Sequence, residues 1–441
     1  SEMQAFMDFL QNKLSPMGER ISKQRHLKAL REGFMLAMPL ILVGSIFQLL
    51  VSFPITSYTN WLAKTGIADV LNRMVNNSFG LIALLTTFGI AYRLAQSYDT
   101  EGLPAGALSL ASFLLATPSI TDKAGLVGIP YSSIGGQGLF SAIIIAFITA
   151  EIYRWFIQKN ITIKMPDSVP AVVGQSFVAL VPGAVILIFF ALVNVGLKAL
   201  NVASLNALLA IIIGKPLSLI GGSLIGTFVA ILLNSLFWFC GVNGGQVVNT
   251  VMQPIWLQFT DQNRVALQAG ATHLPNIITQ PFIDLFVYAG GGGATIGLAL
   301  CLMFFSKSKE YKTLGKISGI PALFNINTAI LFTFPTVLNP IMMIPFLLAP
   351  IANAAITYFA MLFGWVPLTT GVTLPWTTPP IIGGFLATGG SWAAAILQAG
   401  CVVLSFFIYY PFFKIADRTH LKQEKEDANE TKSESAVKAE A

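Results

Sequence analysis

The sequence predicts an all-α integral membrane protein of about ten transmembrane helices, with re-entrant hairpins between some of them and amphipathic interfacial helices beside them. Three observations predict this class. Of 441 residues, 54% are hydrophobic and only 10% are charged, against about a quarter charged in a typical soluble domain. No Asp, Glu, Lys or Arg occurs from Ile317 to Phe413, several times the roughly 20 apolar residues that one crossing needs. The basic residues cluster at the ends of apolar runs, over residues 13–31, 154–164, 307–316 and 414–425. The positive-inside rule places all four clusters in the cytoplasm, together with both termini.

Residues 1–32 carry Phe6, Phe9, Leu10 and Leu14 at helical spacing, followed by a basic run, which suits an entry helix lying on the inner membrane surface. The first thirty residues lack an apolar core followed by a small-residue cleavage site, so the first membrane helix is expected to serve as the insertion signal. Clear spans follow at residues 33–53, 139–157, 177–197, 217–239, 286–305 and 397–413. Shorter or polar-interrupted candidates lie at 80–95, 105–116, 205–213, 330–348 and 351–366. The loop 54–78 carries only Lys64, Asp69 and Arg73 and is placed outside.

The stretch IKMPDSVPAVVGQSF, residues 163–177, combines two prolines with a charged pair and divides the membrane region into 33–165 and 166–417. The tail 418–441 is expected to stay unstructured, because residues 422–441 are charged, rich in alanine and serine and without aromatic residues. The net charge of +6 follows the ends of apolar spans, not one soluble face, which argues against nucleic acid as a partner. Cys240, Cys301 and Cys401 lie in apolar segments without paired spacing, so neither a disulfide framework nor a metal site is expected. No phosphate-binding loop or metal triad is present, and no cofactor is expected; the run GGGGATIG lacks the lysine of a P-loop.

The second half is broken by polar and glycine-rich inserts: 240–254, 270–285, 289–297, 324–346 and 374–385. Irregular backbone at membrane depth survives only where protein buries it or where it lines a wet cavity, so a polar substrate is expected there. Ionisable residues within membrane segments are natural ion carriers, and the candidates are Arg93, Glu151, His273 and Asp284. The first two lie near helix ends and read as interfacial anchors. His273 reads either as a hydrogen-bonded structural side chain or as a site residue, and Asp284 as a hairpin acceptor or a substrate ligand.

An uncharged set carries the stronger signal. Asn243, Gln246, Asn249, Asn325, Asn327, Thr328 and Thr377 offer donors and acceptors, while Trp238, Trp256 and Trp376 offer flat apolar faces. A pyranose shows hydroxyls at its rim and C–H groups on its faces, so amide walls over an aromatic floor match a sugar. Single amides also glue helices together, but as a set beside proline and glycine breaks they point to a site. Trp238, Asn243, Thr328 and Trp376 are the leading substrate residues, followed by Asn325, Asn327 and His273.

Four stretches resemble a known family: IKMPDSVPAVVGQSFVALVPG (163–183), FWFCGVNGGQVV (237–248), FNINTAILFTFPTVLNPIMMIPF (324–346) and LPWTTPPIIGGFLATGGSWAAAIL (374–397). They are similar to the membrane-spanning IIC component of the bacterial phosphotransferase system, in its lactose, cellobiose and diacetylchitobiose branch, and the similarity covers nearly the whole chain. The resemblance implies a permease of the bacterial inner membrane that binds a β-linked disaccharide. It also implies phosphorylation of that sugar by a separate phosphorylated IIB protein. It further implies a homodimer in which 33–165 forms the oligomerisation domain and 166–417 the substrate-transport domain. Members usually carry a histidine where this chain has Asn243 and an N-E-P triplet where it has Asn327, Thr328 and Ala329. Both departures remove titratable groups, so two rival readings stay open: a sugar-binding membrane protein with impaired phosphotransfer, or an ion-coupled secondary sugar transporter.

Overall fold

The computed structural model of the protein describes residues 1–334, 336 and 339–440; Pro335, which belongs to the 324–346 insert, lies outside them. Among the described residues helices dominate, and one antiparallel pair, Ile120–Thr121 with Val127–Gly128, sits exposed in a loop.

The chain enters through a helical run, Glu2–Phe9, Leu10–Leu14 and Ser15–Lys23. Leu10 and Leu14 are buried in one core cluster with Phe237 and Val247, so that part of the apolar face packs on protein, while Phe6 and Phe9 stay exposed. The run stops at Gln24, whose Oε1 accepts the Leu27 N–H at 2.8 Å and starts the first long helix, α1 (Arg25–Ser52). The basic residues from 25 to 31 thus belong to the first span and not to the entry helix expected over 1–32.

α2 (Ile82–Ser97), α3 (Gly102–Ala116), α4 (Leu139–Gln158) and α5 (Leu180–Ala199) complete a first body. Small residues let these helices approach closely, which membrane packing favours: Ala37, Ala83, Ala91 and Ala142 are all fully buried. Thr87 joins three helices, lying 2.8 Å from Ser109 Oγ and donating to the Ala142 carbonyl at 2.9 Å. Ile186, Phe190 and Leu197 of α5 are buried with Phe113 of α3 and Ile145 of α4. Packing therefore sets α5, which follows the expected boundary near residue 165, against the helices that precede it. The proline-rich loop between α4 and α5 joins two helices of the same body, and loop composition says nothing about which core the next helix enters.

The second body begins after a broken span in which Leu205–Gly221 meets α6 (Leu224–Phe239) at 81°. It continues through α7 (Gly244–Gln268), α8 (Ile296–Phe305), α9 (Lys309–Leu323), α10 (Thr328–Thr333), α11 (Pro340–Leu362) and α12 (Trp392–Glu440). Among the described residues, six helical stretches are long and apolar enough to cross a membrane, or seven counting the bent pair, with α3 and α8 as shorter apolar helices. This is fewer full-length spans than the roughly ten expected from hydropathy alone. Residues 340–362 form one helix where two candidate spans were expected.

The tail expected to be unstructured is helical to Glu440. Its Ala, Glu and Lys residues are good helix formers, and its start is anchored. Asp417 accepts the backbone N–H groups of Lys307 and Ser308 at 3.0 Å, and Glu424 accepts Ser308 Oγ at 2.7 Å and the Lys309 N–H at 3.1 Å. Two carboxylates from α12 thus complement the N-terminus of α9, where free N–H groups and the helix dipole favour negative charge.

Candidate functional site

At the end of α9 the chain turns through Asn325, a left-handed residue (φ +61) that is 5% exposed. Asparagine tolerates this conformation better than most residues. Its Nδ2 donates to the carbonyls of Trp376 at 2.7 Å and Thr378 at 2.8 Å, and its Oδ1 accepts the Gly290 N–H at 2.8 Å. Asn327 Nδ2 donates to the Gly292 carbonyl and to Thr295 Oγ1, both at 2.9 Å. These two amides supply partners that irregular backbone needs where water is scarce.

The glycine run is held from its other side by α12. Ser405 Oγ donates to the Ala294 carbonyl, and Tyr409 Oη donates to the Gly293 carbonyl at 2.6 Å. At Gly291 (φ +103) a Cβ would lie 2.8 Å from Asn327 Nδ2, and at Gly292 one would lie 2.8 Å from Trp238 Nε1. Main chain alone fits between the indole and the amides. The segment after Trp376 is fixed by Gln398 of α12, whose Oε1 accepts the Ile381 and Gly384 N–H groups at 2.6 Å and whose Nε2 donates to the Leu285 carbonyl at 2.9 Å.

These contacts gather Trp238, Asn325, Asn327, Thr328 and Trp376 into one neighbourhood. Trp238 is half-buried against Gly292, Thr328 is exposed at the first position of α10, and Trp376 is 55% exposed. Asn243 lies one turn past Trp238, exposed, and its Oδ1 caps α7 by accepting the Gln246 N–H at 3.0 Å. His273 is exposed in the loop that follows the other end of α7. Trp256 is 1% exposed in the core and offers no open face. None of the gathered side chains is ionisable.

The charged candidates have local partners. Glu151 accepts from Tyr98 Oη, lies 2.8 Å from His26 Nε2 and accepts Arg154 Nε at 2.8 Å, with the Arg25 guanidinium 3.9 Å from the Tyr98 ring centre. Asp284 accepts Gln280 Nε2 at 3.0 Å. Sequence reasoning missed a buried ion pair, Asp261 with Arg264, which joins the two bodies: Asp261 Oδ2 accepts the Gly136 N–H at 2.6 Å, and Arg264 donates to Asn76 Oδ1 at 3.1 Å. The spacing of these opposite charges, three apart in WLQFTDQNRVAL within an otherwise uncharged run, was the available signal.

Membrane-crossing helices around an uncharged neighbourhood of amides, hydroxyls and indoles define a membrane permease for a neutral polar solute. The profile of the family described as "Phosphotransferase system, EIIC" matches residues 31–350. The chain is 44% identical to the lichenan permease IIC component of Bacillus subtilis (strain 168) over 427 residues, 94% of each chain. It is 43% identical to the cellobiose-specific EIIC component of Geobacillus stearothermophilus, covering 96% of this chain and 97% of that one. The crystal structure of ChbC, the IIC component of an N,N'-diacetylchitobiose-specific system, superposes with a TM-score of 0.90 at 39% identity, covering 95% of this chain and 99% of ChbC. The chain belongs to the EIIC family of the phosphotransferase system and is a multi-pass protein of the bacterial inner membrane.

Proposed function

We propose that this permease binds a β-linked disaccharide of the cellobiose or diacetylchitobiose class at the Trp238, Thr328 and Trp376 neighbourhood. It carries the sugar across and presents it to a phosphorylated IIB protein. The observation that supports this most is the pairing of two accessible indoles with a backbone floor pinned by Asn325 and Asn327. Indole faces take the C–H faces of a sugar, and the exposed Asn243 and Thr328 take hydroxyls. We assign the substrate role to Trp238, Asn243, Thr328 and Trp376, the shaping role to Asn325 and Asn327, and no sugar contact to His273. The homodimer, the cytoplasmic position of both termini, and the first body as the dimerising one belong to the same proposal.

Binding of cellobiose and diacetylchitobiose to the purified protein tests the reading. Trp376→Ala and Trp238→Ala should each weaken binding by about twofold to tenfold, since stacked aromatic pairs contribute about 0.5–1.5 kcal/mol beyond burial. Unchanged affinity in both variants would overturn the site.

A second reading, sugar binding with weakened phosphotransfer, is favoured by one observation: no titratable group lies among the gathered residues. Asparagine and threonine hydrogen-bond a hydroxyl but do not take its proton at neutral pH. Reconstitution with IIB, IIA, the general phosphotransferase proteins and phosphoenolpyruvate separates the readings. Bound sugar without sugar phosphate would select the second.

A further inference from the structure

We infer that Glu310, His420 and Glu424 form a binding site for a divalent first-row transition ion, with zinc as its probe. The site lies where the extension of α12 meets the N-terminus of α9. His420 Nε2 and one carboxylate oxygen from each glutamate all fall within 4.8 Å of one another. His420 and Glu424 are one helical turn apart and share a face of α12, and Glu310 approaches from the first turn of α9.

The separations suit an ion. His420 Nε2 and Glu424 Oε1 are 3.7 Å apart, which two zinc bonds of about 2.1 Å would subtend at roughly 120°, near tetrahedral. Glu310 Oε2 touches His420 Nε2 directly and must swing outward to admit the ion. Its side chain is 54% exposed and free to do so.

Neighbours hold two of the three ligands in place. The His420 ring stacks on Tyr311, with ring centres 4.6 Å apart and planes 14° apart. Ser308 Oγ donates to Glu424 Oε1 at 2.7 Å, and the Lys309 N–H donates to its Oε2 at 3.1 Å. Among the described residues, the ion pairs of Glu310 and Glu424 are with His420 alone, so two carboxylates converge on one imidazole without a lysine or arginine partner. A cavity of about 430 Å³ opens on this side, lined by Glu310 and His420 together with Thr333 and Asn339. It gives an ion a path in and leaves room for water as a fourth ligand. An imidazole beside the carboxylates favours zinc over magnesium, which prefers oxygen ligands and retains its waters.

The test uses the full untagged chain in detergent after EDTA treatment, titrated with zinc chloride and, separately, with magnesium chloride. We expect one zinc bound per chain, protection of residues 418–440 from hydrogen exchange and from protease, and little response to magnesium. His420→Ala should weaken zinc binding at least tenfold and abolish the protection. Glu310→Gln, at an exposed side chain, should weaken it less while leaving the fold intact, which keeps the test valid if His420→Ala protein fails to fold. Zinc binding that persists in both variants would reveal an adventitious ion only, held by His26 or His273, and would overturn the site. So would the absence of zinc binding, or an equal response to magnesium.

Discussion

Arg264 Nε lies 2.8 Å from Asp261 Oδ1, with the two side chains 4% and 5% exposed. The other carboxylate oxygen accepts the Gly136 N–H of the first body. This pair on α7 is a charged contact that crosses between the two helical bodies.

Removing one partner leaves the other charge buried and uncompensated. Arg264→Ala and Asp261→Ala should each destabilise the protein by about 3–5 kcal/mol, whereas replacing both with leucine should cost far less. Thermal unfolding of the detergent-solubilised variants checks this, and equal losses for single and double variants would contradict it.

Asn325 donates to two carbonyls and accepts one N–H. Asn325→Asp keeps the acceptor for Gly290 but turns a carboxylate oxygen toward the carbonyls of Trp376 and Thr378. Asn325→Ala leaves the same three backbone groups unpaired, at about 1–3 kcal/mol each. Both variants should lower sugar affinity by about tenfold to a hundredfold, measured by calorimetry, with the aspartate the worse of the two.

Thr328→Glu with Asn243→His introduces the ionisable pair that the family resemblance leads one to expect at these positions. If phosphotransfer is limited by the missing base, the double variant should form sugar phosphate about 10²–10⁴-fold faster in the reconstituted system, with sugar affinity changed far less. No gain in rate would place the limit elsewhere.

Glu151 is held by His26, Tyr98 and Arg154 at a helix end. Such a partly exposed network serves as an anchor worth about 1 kcal/mol. Glu151→Gln should therefore leave uptake within about twofold of the parent and insensitive to a protonophore. Uptake that collapses with the variant, or with the proton gradient, would favour an ion-coupled carrier.

The membrane class and most helices were legible because apolar length is a strong local signal: α1, α4 and α5 follow from hydropathy. The irregular segments were also legible, since Asn325, Asn327 and the glycine run break an apolar pattern that nothing else explains. The packing partner of α5 was less so, because it joins the first core through Ile186 and Phe190, contacts that no loop composition encodes. The fate of the tail was hidden for a similar reason. Its composition reads as solvated, yet Asp417 and Glu424 find the free N–H groups of a helix more than a hundred residues earlier in the chain. Trp256 and Trp238 look alike in sequence, and only packing buries the first and leaves the second half open.

The run from Gly290 to Gly293 gives the proposed sugar site a floor made of main chain, clamped on one side by Ser405 and Tyr409 and on another by Asn325 and Asn327. A floor of that kind presents no side chain for selection to exchange. Drift in substrate preference among descendants of this chain would then be confined to the rim, at positions such as Trp238, Asn243, Thr328 and Trp376, while the scaffold beneath stays fixed.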